Sequence, residues 1–270
     1  MYYLAFVQGN TAQMEEQVAW ALGKPGDEDM LQSTQSDTEA YYGRLSKARD
    51  FSRRAVESAV RTDSTETAAL WRVNAALREA ELGNAASAKQ DTAAAMTLSS
   101  GRDVKTLAAL TFARIGDTLR AKALVTELEK DYPTNTMLKL YWLPTIKAAI
   151  ELNNYAPSQA RVLLEAALPY ELGSGICGLY PAYLRGEAYL LSHDGVAAAL
   201  EFQKLLDRRG IVLNSVTGAL AHLQIGRAYA MAGNCAKAKA AYQDFLNLWK
   251  DADPDIPILQ QAKAEYAKLQ

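Results

Sequence analysis

Gly186, Ala188, Tyr189, Ala198 and Phe202 reappear as Gly226, Ala228, Tyr229, Ala238 and Tyr242, each displaced by 40 residues. Internal repetition constrains a fold more tightly than composition does. A repeated unit buries its apolar face against its own neighbours, so a chain of such units stacks in one dimension and needs no central core. Within each copy, apolar residues recur at i, i+3, i+4 and i+7 on both sides of a short break such as Ala232-Gly233-Asn234. The unit therefore reads as an amphipathic helix, a tight turn and a second helix.

The break recurs upstream as Gln8-Gly9-Asn10, Tyr42-Gly43-Arg44, Leu82-Gly83-Asn84 and Ile115-Gly116-Asp117, and in weaker form as Asn154-Tyr155-Ala156 and Ser192-His193-Asp194. The turn slots at 9, 43, 83, 116, 155, 193 and 233 are spaced by 34, 40, 33, 39, 38 and 40 residues. Five residues after the slot, most copies place an alanine: Ala48, Ala88, Ala121, Ala160, Ala198 and Ala238. A small side chain there lets paired helices approach closely, and Gly supplies the positive φ that ends the first helix. The longer spacings imply longer links, such as the polar stretch 207–216 with Gly210 and Asn214. Forty-eight of the 270 residues are Ala, against 16 Gly and 8 Pro, which favours helix throughout.

A helix–turn–helix unit of about 34 residues, with Gly-x-x-Tyr in its first helix and Ala-x-x-x-aromatic in its second, resembles the tetratricopeptide repeat. The match is fullest in the last two copies, and the fourth adds the expected proline, Pro133. The resemblance implies an all-α fold, a right-handed α-solenoid of about seven helix–turn–helix repeats with a C-terminal capping helix. The array is expected over 1–255 and the capping helix over 256–270. Only eight residues precede Gly9, so the first repeat is expected to be truncated. In the final segment, Ile258, Leu259, Ala262, Tyr266 and Leu269 share one helical face, with Lys263, Glu265 and Lys268 opposite. A polar outer face is what a solenoid needs to seal its last core.

Four segments carry a more particular likeness: Gln17-Val-Ala-Trp-Ala-Leu-Gly-Lys-Pro-Gly, Gln35-Ser-Asp-Thr-Glu-Ala-Tyr-Tyr-Gly-Arg, Tyr141-Trp-Leu-Pro-Thr-Ile and Leu248-Trp-Lys-Asp-Ala-Asp-Pro-Asp-Ile-Pro. They resemble the C-terminal tetratricopeptide region of large bacterial proteins, notably acidobacterial ones. There the region follows a serine/threonine kinase domain or a winged-helix DNA-binding domain. No segment of this chain matches Val-Ala-Ile-Lys, His-Arg-Asp or Asp-Phe-Gly, so no kinase residue carries over.

The composition excludes several functions. With 29 Lys+Arg against 31 Asp+Glu, the chain exerts no long-range pull on nucleic acid or anionic membrane. No apolar run approaches the ~18 residues of a membrane span, and the opening MYYLAFVQGN lacks the basic flank and cleavage site of a signal peptide. Gly173-Ser-Gly175-Ile-Cys-Gly178 fits G-x-G-x-x-G, but it follows a helix expected over 158–168 rather than a strand, so it reads as an inter-repeat loop. His193 and His222 stand 29 residues apart on different repeats, and Cys177 and Cys235 are expected at opposite ends of the helical layer. These give no metal-ligand set, no nucleophilic triad and no disulfide. Glu15-Glu16 and Asp27-Glu28-Asp29 read as solvated faces and caps. No catalytic residue, cofactor or metal is expected.

In the tetratricopeptide family, the first helices line a concave groove. Carried to this chain, the groove positions include Asn74, Trp142, Tyr183, Glu187, Gln224 and Arg227. Each also has a plainer reading as inter-repeat packing. Family members that clamp a C-terminal carboxylate use Lys and Asn four residues apart. Here those slots hold Val73 with Leu77, Thr106 with Leu110, Tyr183 with Glu187, and Leu223 with Arg227, so that clamp is absent. The expected function is a protein-interaction scaffold, the sensory or recruiting part of a larger signalling protein, that binds a peptide or protein partner. The alternative is the regulatory region of a serine/threonine kinase or winged-helix regulator. Free cysteines favour the cytoplasm, whereas a membrane-anchored kinase parent would allow an extracytoplasmic position.

Overall fold

Each of the seven turn slots bends the chain in the same way. In a computed structural model, which describes residues 1–173 and 178–269, φ is 70° at Gly9, 72° at Gly43, 90° at Gly83, 81° at Gly116 and 75° at Gly233. Tyr155 (55°) and His193 (58°) take the same left-handed conformation without being glycine. The next residue's N–H then reaches back five positions, as in Asn10 to Ala5, Arg44 to Glu39 and Asn234 to Tyr229, at 2.8 to 2.9 Å. This is the Schellman closure that satisfies a helix's last carbonyls.

The hairpins so formed are α1 (Tyr2–Gln8) with α2 (Thr11–Ala21), α3 (Asp27–Tyr41) with α4 (Leu45–Arg61), α5 (Thr65–Glu81) with α6 (Ala85–Leu98), and α7 (Arg102–Arg114) with α8 (Thr118–Asp131). They continue with α9 (Leu143–Asn153) and α10 (Pro157–Glu165), α11 (Tyr180–Leu191) and α12 (Gly195–Asp207), and α14 (Val216–Met231) with α15 (Cys235–Leu248). A short α13 (Arg209–Val212) lies before α14, and α16 (Pro257–Ala267) packs on α15. Among the described residues there is no strand.

The six alanines after the turns are fully buried between paired helices. The Gly and the aromatic of each late repeat fit together. A Cβ on Gly186 would lie 2.5 Å from Phe202 Cζ, and one on Gly226 would lie 3.0 Å from Tyr242 Cδ2. The ring thus occupies the space that the glycine leaves, which explains why both recur at a fixed offset.

The superhelix turns tightly enough for its ends to meet. α3, α5, α7, α9, α11 and α14 contact one another in sequence, and α14 returns to α3, so these six helices form a closed inner ring. Three groups make the closure. Asn214 Nδ2 donates to the Thr34 carbonyl (2.8 Å) and to Thr38 Oγ1 (3.0 Å). The Trp249 indole is buried, and its Nε1 donates to the Tyr41 carbonyl (2.9 Å). The Asp253 N–H donates to the Gly43 carbonyl (3.0 Å), while Asp253 Oδ2 accepts from Ser46 N (2.6 Å). Arg44, the N-cap residue of α4, makes no side-chain cap, so Asp253 supplies an N-cap interaction to Ser46 N from 207 residues away.

Some expectations change here. The polar link 207–216 contains a short helix, α13, and buries Val212 and Asn214 at the closure. The helix expected over 158–168 ends at Glu165 and is followed by a 3-10 turn at Leu168–Tyr170, where Pro169 cannot continue an α-helical ladder. Glu265, expected on the solvent face of α16, turns back and pairs with Arg227. Most of the Gly173–Gly178 segment, including Cys177, lies outside the described residues.

Candidate functional site

Charged side chains from five helices form a continuous ladder along the inner face. Arg114 on α7 holds Glu81 of α5 through Nε (2.6 Å) and Nη2 (2.9 Å), and Glu187 of α11 through Nη1 (2.6 Å) and Nη2 (2.9 Å). Gln224 of α14 donates to the Tyr183 hydroxyl (3.2 Å), and its carbonyl accepts from Arg227 (3.2 Å). Arg227 forks onto Glu265 at 2.8 Å for both bonds, and the Tyr242 hydroxyl donates to the same carboxylate (2.8 Å). The Tyr180 hydroxyl donates to Glu81. Two-point guanidinium–carboxylate pairs fix geometry as well as charge, so the ladder locks the inner helices in register. Burial pushes the Glu187 carboxyl above its ordinary range, and Arg114 only partly offsets this.

A second cluster lies nearer the closure. Asp37 accepts from Arg78 and from Asn74 Nδ2 (3.1 Å), and Arg78 Nη2 also donates to Ser36 and Ser52 at 2.6 Å each. Burial raises the Asp37 carboxyl too, against the pull of Arg78.

Of the six sequence-derived groove residues, the structure brings together Tyr183, Glu187, Gln224 and Arg227. Asn74 belongs to the Asp37 cluster. Trp142 sits in a π turn, Leu138–Trp142, just before Pro144; it is half-buried against Tyr141 and shares no hydrogen bond with either cluster. Tyr183 is 1% exposed and packs its ring edge-on to Phe202, so it presents no surface to a partner. The open trough expected along the whole inner face is instead largely filled by the chain's own side chains. A pocket of about 660 Å3 stays open at one part of that face. Glu187, Gln224 and Arg227 line it beside Leu152, Leu190 and Met231.

Sequence reasoning missed Glu81, Arg114, Asp37, Arg78 and Glu265. A signal was present for four of them, because charged residues recur near the ends of first helices where the periodicity asks for buried positions. The acidic run also does more than cap α3. Asp29 accepts from Trp71 Nε1 (2.7 Å), and Glu28 accepts from Ser58 (2.7 Å) and Arg61 (2.9 Å). His193 is exposed, and desolvation lowers the pKa of half-buried His222. Cys235 is a free, exposed thiol. Among the described residues no group of three His, Cys, Asp or Glu could hold a metal ion, and no helix is long and apolar enough to cross a membrane.

These features define the class of fold as a tetratricopeptide-type right-handed α-solenoid. Among solved structures, the chain is similar to yeast Tom70, with a TM-score of 0.54 and 12% sequence identity, over 99% of this chain. It spans 59% of the Tom70 chain, and at that identity the likeness concerns the fold alone. No family profile and no curated protein matches the sequence.

Proposed function

We propose that the chain is a protein-interaction scaffold without catalysis of its own, and that a partner docks at the pocket lined by Glu187, Gln224 and Arg227. The observation that carries this reading is the shape of that pocket: an apolar rim of Leu152, Leu190 and Met231 over a polar floor whose charges are already paired. A floor fixed in this way costs little reorganisation on binding, so an apolar side chain of a partner segment can be taken up by the rim. Met231 is 40% exposed and is the accessible member. A photo-crosslinker at Met231 should capture a partner. Capture should be lost in Leu190→Glu and kept in Leu119→Glu, which alters an exposed residue outside the pocket. If Leu190→Glu leaves every crosslink intact, the pocket is not the contact.

The likeness to the C-terminal region of bacterial kinases and winged-helix regulators supports a finer proposal: this array is the recruiting or sensory module of a larger signalling polypeptide. Reading the gene upstream of Met1 tests it. A kinase or winged-helix reading frame supports the proposal, and a stop codon refutes it.

A further inference from the structure

Where the two ends of the array meet, they enclose a cavity of about 140 Å3. One wall comes from α3, α5 and α7, and the other from the stretch 211–217 at the start of α14. The size is informative: an engineered apolar cavity of about 150 Å3 accepts benzene. This cavity differs in having charged groups in its lining, the carboxylates of Asp37 and Glu81 and the guanidinium of Arg78. Trp71, Tyr180 and, at the half-exposed mouth, Tyr3 supply aromatic surface, while Leu107, Val212 and Val216 supply an apolar wall.

The charge balance determines the sign of the occupant. Asp37 is matched by Arg78, but Glu81 and Glu187 share the single guanidinium of Arg114. Three carboxylates therefore face two guanidiniums, and the Glu81 end of the shared pair borders the cavity. Arg78 is the partner of Asp37 through Nη1, while its Nη2 serves two serines and its buried Nε has no partner. Burying uncompensated negative charge is costly, and a cation placed beside it relieves that cost.

We propose that this cavity binds a small organic cation, an ammonium group on an apolar body of about six heavy atoms. Its walls belong to both ends of the array, so the bound cation favours the closed ring over any opened form. The inference is independent of the partner pocket at Met231.

The test uses the full chain and three probes that share one carbon body: isopentylamine, neutral isopentanol and anionic isovalerate. Titration followed by NMR should show saturable binding of the amine, with shifts at residues 211–217, and binding of the alcohol and the acid weaker by about tenfold or more. The amine should raise the melting temperature and slow hydrogen exchange at the Ser46 and Asp253 amides, which close the ring. Glu81→Gln removes the surplus charge and leaves Arg114 paired with Glu187, so it should abolish the preference for the amine in a folded protein. Val216→Phe fills the space and should abolish binding of all three probes. The proposal is overturned if the alcohol binds as well as the amine, if the acid binds best, if nothing binds and the cavity holds only water, or if Glu81→Gln keeps the amine preference.

Discussion

Gly43 and Gly233 occupy the same slot in different repeats and have nearly the same φ, 72° and 75°. Their surroundings differ. A Cβ at Gly233 meets nothing within 4 Å, whereas one at Gly43 would lie 2.5 Å from Ala252 Cβ and 2.8 Å from Trp249 Cδ2. Alanine at either site must hold a left-handed conformation, at about 1–2 kcal/mol. At Gly43 it must also push into the closure, and overpacking of that kind costs a further 1–3 kcal/mol or so. Trp249 cannot retreat freely, because its indole N–H is tied to the Tyr41 carbonyl. Gly43→Ala should therefore lower stability by more than Gly233→Ala, by roughly the overpacking amount, in urea unfolding monitored by Trp fluorescence. Pairing it with Trp249→Ala should give less than the sum of the single losses, because the second change makes room for the first. Equal losses for the two glycines, or strict additivity of the pair, would show that the ends of the array do not meet at Gly43.

Asp253→Ala should cost about 1 kcal/mol as a lost helix cap and speed hydrogen exchange at the Ser46 amide; an unchanged Ser46 rate would refute the long-range cap. Arg114→Met leaves Glu81 and Glu187 buried without a counter-charge and should cost about 3–5 kcal/mol at neutral pH, read from thermal melts. Part of that loss should return in mild acid, where Glu187 takes up a proton. In the wild type, Asp37 and Glu187 have carboxyls raised above their ordinary 3.8 and 4.5, so the folded state binds protons more tightly than the unfolded chain. Their contribution to stability is full below those ordinary values and is lost as pH rises through the higher folded ones. Glu187→Gln should flatten that slope, and an unchanged pH profile of stability would contradict it.

The local architecture was readable because it depends on local rules. All seven turn slots have positive φ, including Tyr155 and His193, where only register and the following alanine pointed to a turn. Closure was not readable, because it depends on the rotation summed over all the repeats, and its acceptors at Tyr41 and Gly43 are backbone carbonyls, which no sequence pattern marks. One clue was local. Asn10, Asp117, Asp194 and Asn234 cap the helices after their turns, but the equivalent residue after Gly43 is Arg44, so that helix needed a cap from elsewhere. The candidate site was half legible. Positional reasoning found Glu187, Gln224 and Arg227, but not that Arg114 and Glu265, on other helices, would neutralise them.

Closing the ring has a consequence for how such a chain can change over time. An open solenoid gains or loses a unit at little cost, because each unit touches only its neighbours. Here an added unit of 33 to 40 residues would carry Trp249 and Asp253 past the turn at Gly43, and a deleted one would leave them short. The number of repeats is thereby fixed by geometry, and variation is confined to substitutions and to loops on the outside of the ring.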